Sequence, residues 1–267
     1  MIRVAAVQTH PRFGARAENL ERAAEMIRSV RADLYLLPEL FNTGYIFRDR
    51  AQCREFAEPF PDGESCRFIA ELSAERDAVI LGGFAEATPH GALYNAAMAF
   101  QRGEPLGCYR KIQLFDREFD WFDPGDRPPG VIESAAGRLG PMICFDWIFP
   151  EVARCLAVSG AQILVHATNL VLPFCQDATM TRCVENRVFS VLANRIGQEA
   201  RGDYELTFTG RSQITSPRGE RLAQASEDRE EVIVAQIDPA EADEKGITER
   251  NDLLRDRRPG LYRALWS

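Results

Sequence analysis

Histidine is scarce in this sequence of 267 residues, with three at positions 10, 90 and 166. None belongs to an HExxH pattern or to a closely spaced group of His and carboxylates, which argues against a histidine-based metal centre. The seven cysteines (53, 66, 108, 144, 155, 175 and 183) contain no CxxC pair and are odd in number, so neither a zinc site nor a disulfide framework is signalled. No apolar run reaches the roughly 18 residues that a membrane helix needs. The first residues, Met1 to Gln8, form too short an apolar stretch for the core of a signal peptide. A cytoplasmic protein with no membrane partner is expected. A basic face or tail is missing too: Lys and Arg total 32 against 40 Asp and Glu, the net charge is -8, and the signs are interspersed, which argues against nucleic acid.

What is present is the composition of an ordinary globular protein, 45% hydrophobic and 27% charged, enough to bury a sizeable core. No repeat, low-complexity stretch or linker divides the chain, so a single domain over 1–267 is expected, with 252–267 as a terminal arm whose Leu261, Tyr262, Leu265 and Trp266 suit docking at a subunit interface. Strands are expected at 2–8, 34–37, 78–83, 94–100, 106–109, 138–143, 161–166, 208–216, 221–225 and 231–237. Helices are expected at 17–30, 64–76, 150–159 and 176–189. Strands recurring between helices along the whole length predict an α/β fold with a large, partly antiparallel sheet system. Residues 112–130 read as irregular, yet they hold Phe115, Phe119, Trp121 and Phe122, too aromatic for a plain solvated loop.

Two residues draw attention by position. Glu39 follows the apolar Leu34 to Leu37 stretch and Pro38, at the end of a strand, where α/β proteins commonly place functional groups. Cys144 interrupts the apolar Leu139 to Ile143 stretch at the turn into a helix opened by Pro150. A thiol held there lies near backbone N–H groups that favour thiolate and bind an oxyanion. A cysteine at a strand end is also a common small hydrophobe, and spacing alone does not separate the two readings. Asn169, after a third strand, reads as either a pocket residue or a turn residue. Asp146 and Glu151 read as structural, fixing the elbow and the helix start.

Three segments taken in order carry more. Pro38-Glu39-Leu40-Phe41-Asn42-Thr43-Gly44-Tyr45, Tyr109-Arg110-Lys111-Ile112-Gln113-Leu114-Phe115 and Cys144-Phe145-Asp146-Trp147-Ile148-Phe149-Pro150-Glu151 together resemble the nitrilase superfamily of carbon-nitrogen hydrolases. The resemblance runs from the first strand to about residue 258. It implies a four-layer α-β-β-α sandwich paired into a dimer, and no metal or organic cofactor. It implies Glu39 as general base, Lys111 as cationic stabiliser, Cys144 as nucleophile and Glu118 as a second glutamate that positions substrate and lysine. Asn169 falls where family members line the substrate pocket.

The chemistry so implied is coherent without histidine. A carboxylate takes the thiol proton and later activates water, while Lys111 and the Phe145 backbone N–H hold the charge of a tetrahedral intermediate. Burying Lys111 between two carboxylates is costly unless it is used, so perturbed titration is expected there. Relatives that act on carbamoyl amino acids often carry Arg at the fourth position after the cysteine, where this chain has Ile148. Without that cation, and with Phe119, Phe145 and Trp147 nearby, a small uncharged amide or nitrile is expected. An N-carbamoyl amidohydrolase is the alternative. Two other classes stand as competitors: a binding protein that keeps the fold without catalysis, and a Cys-His hydrolase using His166.

Overall fold

The computed structural model describes residues 1–266 of the chain; Ser267, the last residue of the expected arm, lies outside the described residues. Along the chain run β1 (Ile2–Gln8), α1 (Arg16–Arg28), β2 (Leu34–Leu36), α2 (Arg50–Phe56), α3 (Glu64–Arg76), β3 (Val79–Ala87), β4 (Leu93–Gln101) and β5 (Glu104–Arg110). There follow α4 (Glu118–Trp121), β6 (Ile132–Ser134), β7 (Gly137–Ile143), α5 (Pro150–Val158), β8 (Ile163–Ala167), α6 (Cys175–Asn186), β9 (Phe189–Ala193), β10 (Ile196–Arg201), β11 (Tyr204–Thr209), β12 (Gln213–Thr215), β13 (Arg221–Gln224) and β14 (Glu231–Ile237).

Two six-stranded sheets form, ordered β14-β1-β2-β3-β4-β5 and β13-β12-β9-β8-β7-β6. Each has three central parallel strands, β1-β2-β3 and β7-β8-β9, flanked by antiparallel ones. Alternation along the strands sorts side chains into layers. Val4, Ala6, Leu34, Leu36, Val79 and Leu81 meet Leu139, Ile163, Val165, Phe189 and Val191 between the sheets. The intervening Ala5, Val7, Tyr35, Leu37 and Ile80 face outward against Leu20, Ala24 and Ile27 of α1 and Ile69 and Leu72 of α3. On the far side Met142 and Leu164 pack against Val152, Ala153 and Leu156 of α5. This is the expected α-β-β-α sandwich.

Local departures have physical causes. The β4–β5 connection is tighter than the polar turn 101–105 suggests: Arg102 and Gly103 both adopt positive φ, as a two-residue hairpin turn demands. The single strand expected over 208–216 is split into β11 and β12 by Gly210 and Arg211, both at positive φ. No helix among the described residues is long and apolar enough to cross a membrane. At the terminus Leu261, Tyr262 and Leu265 stand exposed on this chain.

Candidate active site

The ends of β2, β5, β7 and β8 converge, as ligand sites do at the carboxyl ends of parallel strands. Glu39 follows β2, and the segment carrying it lies on β3 through Leu37 N–H to Leu81 O (2.9 Å), Gly83 N–H to Pro38 O (2.9 Å) and Phe41 N–H to Gly83 O (3.2 Å). That approach requires glycine: a Cβ on Gly83 would lie 2.4 Å from Glu39 Cα and 2.7 Å from Leu40 N. Lys111 leaves β5 with its N–H on Asn95 O (2.8 Å) and its carbonyl accepting from Gly125 N–H (2.8 Å). Glu118 opens α4, the one helical turn in the aromatic stretch 112–130.

Glu39, Lys111 and Glu118 are fully buried and in contact. Lys111 Nζ donates to Glu39 Oε1 at 2.9 Å and to Glu118 Oε1 at 2.6 Å. Glu39 Oε1 also accepts from Asn95 Nδ2 at 2.7 Å, while Glu39 Oε2 is buried with no hydrogen-bond partner. Glu118 Oε1 accepts in addition from the Tyr45 hydroxyl at 2.7 Å, and Glu118 Oε2 from Phe115 N–H at 3.2 Å. Burial pushes the Glu118 carboxyl up to about 7, against the pull of Lys111 and with Glu39 adding to the rise. Burial disfavours the Lys111 ammonium, but the Glu118 and Glu39 carboxylates outweigh it and keep the group protonated. The trio carries two carboxylates against one ammonium.

Cys144 is 6% exposed and sits at the strand-to-helix elbow with φ 39°, in the left-handed region that a non-glycine residue enters only when its surroundings enforce it. Two groups enforce it. Asp146 Oδ2 accepts from Ile143 N–H (2.9 Å) and the Tyr109 hydroxyl (2.8 Å), and Asp146 Oδ1 from Gln113 N–H (3.1 Å), in line with the structural reading of that residue. His166 Nε2 lies 2.9 Å from the Cys144 carbonyl oxygen, so that nitrogen carries the proton and donates. Burial holds the imidazole down to about 4. His166 thus braces the backbone of Cys144, and its Nε2 is committed to that carbonyl; a Cys-His mechanism finds no support in this arrangement.

The thiol is not pre-ionised. Burial raises the Cys144 thiol well above its usual range and the Glu39 carboxylate adds to this, while Lys111 and the Asn169 backbone N–H, which donates to the sulfur, pull the other way without prevailing. The expectation that elbow N–H groups favour thiolate is therefore reversed, because burial beside two carboxylates outweighs one ammonium and one N–H. A base is needed, and the free Glu39 oxygen is an acceptor in the same cluster.

The other expected residues divide. Asn169 is buried, with neither side-chain Oδ1 nor Nδ2 partnered. Trp147 packs with Cys144, Leu170 and Cys175. Phe145 turns its ring onto Phe115 (centroids 5.1 Å apart) and Phe149 (5.6 Å), leaving its backbone N–H at the first helical turn, where such groups have no partner within the helix. Phe119 is not brought in: one residue after Glu118, it is 65% exposed, while Trp121 and Phe122 take the buried positions of that stretch. Ile148 is likewise outward, 43% exposed. Sequence reasoning passed over Asn95, Tyr45, Tyr109 and the Arg195–Glu199 pair. Asn95 carried a signal, as the one polar side chain inside the apolar run 93–100. Among the described residues no group of three or more His, Cys, Asp or Glu is placed to hold a metal ion.

Comparison with known proteins agrees with this architecture. The sequence profile of the carbon-nitrogen hydrolases matches residues 3–245. A nitrilase of Pyrococcus abyssi is 41% identical over 265 residues, 98% of this chain and 99% of that protein. The crystal structure of a carbon-nitrogen hydrolase from Helicobacter pylori superposes with a TM-score of 0.88 at 26% identity, over 100% of this chain and 98% of the other. An amidase of Nesterenkonia sp. AN1, in a glutamate-to-glutamine variant with the acetamide moiety of fluoroacetamide added covalently at its active-site cysteine, superposes with a TM-score of 0.80 at 25% identity, over 98% and 96% of the two chains. With a profile match across most of its length and a relative so similar end to end, the chain belongs to the carbon-nitrogen hydrolase family.

Proposed function

We propose that this enzyme hydrolyses a small uncharged amide or nitrile to the carboxylic acid and ammonia through a thioester on Cys144. The observation that carries this reading is the cluster itself: a neutral buried thiol, a glutamate with one oxygen tied down and one free, and a protonated lysine held by two carboxylates. In the amide reaction Glu39 Oε2 takes the thiol proton as sulfur attacks the carbonyl carbon. Lys111 Nζ and the Phe145 backbone N–H hold the oxyanion. Collapse breaks the C–N bond, the Glu39 proton leaves with the nitrogen, and ammonia departs. Water then gives its proton to Glu39 and adds to the thioester, and the thiol is restored as the acid leaves. A nitrile enters by the same attack, giving a thioimidate that takes up one water before ammonia is lost. Glu118 orients Lys111 throughout.

Substrate size and charge follow from the surroundings. The nucleophile is almost closed off, which favours a small acyl group. Above about pH 7, where Glu118 is ionised, two carboxylates against one ammonium repel an anionic substrate, so a carboxylate-bearing carbamoyl amino acid fits poorly. Ile148, 43% exposed, stands away from the thiol and has no part in this preference. Asn169, with both amide atoms buried and unpartnered, is assigned to the polar end of the substrate, and Trp147 to the apolar wall.

The chain is read as one catalytic domain working as a homodimer in the cytoplasm. Exposed Val158 of α5, Val184 of α6 and Leu261, Tyr262 and Leu265 of the terminal arm support pairing, and seven free cysteines suit a reducing compartment. Sedimentation at micromolar concentration gives a dimer or larger on this reading, and a monomer contradicts it. For the activity, ammonia release is measured across small amides, small nitriles and N-carbamoyl amino acids. Release from uncharged members, lost in Cys144→Ala, is expected. Strong preference for N-carbamoyl amino acids overturns the substrate assignment, and unchanged release by Cys144→Ala overturns the nucleophile.

A further inference from the structure

Tyr45 stands outside the four residues of the mechanism, yet its hydroxyl donates at 2.7 Å to Glu118 Oε1, the same oxygen that Lys111 Nζ reaches at 2.6 Å. The ring is buried, edge-on to Trp121 at 5.9 Å and to Phe208 at 6.1 Å. Its backbone is fixed from a distant part of the chain: the N–H groups of Tyr45 and Ile46 donate to Glu199 Oε1 at 3.0 and 2.5 Å. Glu199 is held by Arg195, whose Nη1 donates at 2.7 Å, whose Nη2 reaches Pro11 O at 3.0 Å, and whose guanidinium lies 4.0 Å over the Phe208 ring. A fully buried arginine is expensive to place. Here it secures the carboxylate that supplies partners for two loop N–H groups, and the loop bears the one hydroxyl that touches Glu118.

We propose that Tyr45 is a positioning residue for the reaction: the Arg195–Glu199 pair fixes its backbone, and its hydroxyl fixes the Glu118 oxygen that aims Lys111. This rests on the roles given to Glu118 and Lys111 above. Glu118 is faced by Lys111 from the end of β5, Glu39 from the end of β2, Cys144 from the elbow and Tyr45 from its loop; on the β11 side stands Tyr204, bonded to Asp116 and stacked by Arg117. Of these, only Lys111 and Tyr45 donate side-chain hydrogen bonds to it, and both favour the carboxylate.

Tyr45→Phe keeps the ring and removes the bond. Loss of a hydrogen bond to a charged group is expected to lower kcat by roughly 10- to 100-fold with KM little changed. The inflection belonging to Glu118 moves to higher pH, since one bond that favours the carboxylate is gone. A purely packing role predicts wild-type kcat and an unmoved inflection, and that result overturns the proposal. A second measurement does not need turnover: the pH dependence of Cys144 alkylation by iodoacetamide, read by peptide mapping so that the exposed Cys155 is counted separately. A shifted midpoint in Tyr45→Phe supports the positioning role even where no amide or nitrile is hydrolysed, an outcome that would sink the functional reading alone. Superimposable alkylation profiles overturn the positioning role. Glu199→Gln, which weakens the frame without touching Glu118, is expected to give a smaller shift in the same direction. A folded Glu199→Gln protein with wild-type kcat and profile removes the Arg195–Glu199 pair from the proposal.

Discussion

Lys111→Met replaces the shared ammonium by an apolar chain of similar length and leaves Glu39 and Glu118 buried without it. Removing one partner of a buried ion pair typically costs about 3–5 kcal/mol, because the remaining charge stays desolvated. Here one lysine serves two carboxylates at 2.9 and 2.6 Å, both fully buried, so the upper part of that range is expected. For a chain of this size such a loss lowers Tm by roughly 6–20 °C. The deficit is pH-dependent, and its sign is fixed. Without the lysine, the Glu118 carboxyl, already raised by burial, rises further above the unfolded value of about 4.3, so the folded protein binds more protons than the unfolded one. Stability therefore falls as pH rises toward the folded pKa values. Urea unfolding at pH 5 and pH 8 reads the effect: the variant should approach wild type at pH 5 and differ most at pH 8. A deficit under about 1 kcal/mol, or one equal at both pH values, would refute the idea that Lys111 neutralises two buried carboxylates.

Other expectations concern the parts around the cluster. Turnover should fall as pH drops through about 7, where Glu118 gains its proton and loosens Lys111, and a pH–rate profile flat from 5 to 8 speaks against this. His166→Ala should lose turnover by relaxing the Cys144 backbone, whereas His166→Asn, able to donate to the same carbonyl, should retain most of it; equal loss in both points to a proton-transfer role instead. Gly83→Ala should cut activity more than a hundredfold by displacing Glu39, a fall expected for a misplacement of about 1 Å, and a crystal structure with Glu39 unmoved would contradict the cause.

Much of this site was legible in the sequence where chemistry is carried by short segments. Cys144 and Glu39 drew attention by position, since strand-to-loop junctions are local events, but position left an inert buried cysteine equally open, and the resemblance of the three segments taken in order is what assigned the roles. The α/β class with a large, partly antiparallel sheet system was legible through strand periodicity, which needs only neighbours, whereas the four-layer sandwich followed from the resemblance of the three segments to the family. The ionisation state of Cys144 was not, since it depends on burial and on the balance of three charges brought from residues 39, 111 and 118. Tyr45 and Glu199 were missed for a related reason: Glu199 bonds a loop more than 150 positions away, and nothing local marks such a partner. The β10–β11 hairpin escaped because most of its side chains alternate between partly and fully exposed, so the apolar pattern that betrays a strand is faint. Phe119 was drawn into the pocket by proximity to Glu118, but on α4 successive side chains point in different directions, and the buried place went to Trp121.

The central claim is that sulfur of Cys144, deprotonated by Glu39, forms the bond to substrate carbon. Its most direct test is intact-mass and peptide-mapping analysis of Glu39→Gln incubated with a small haloacetamide or acrylamide alongside wild type incubated with a small amide and quenched during turnover. Expected are an acyl mass on the peptide containing Cys144 in the wild type during turnover, and a stable adduct on the same residue in the variant, separate from any alkylation of the exposed Cys155. A Cys144 peptide that stays unmodified in the variant, or turnover with the acyl mass absent from Cys144 at every quench time, would contradict the claim.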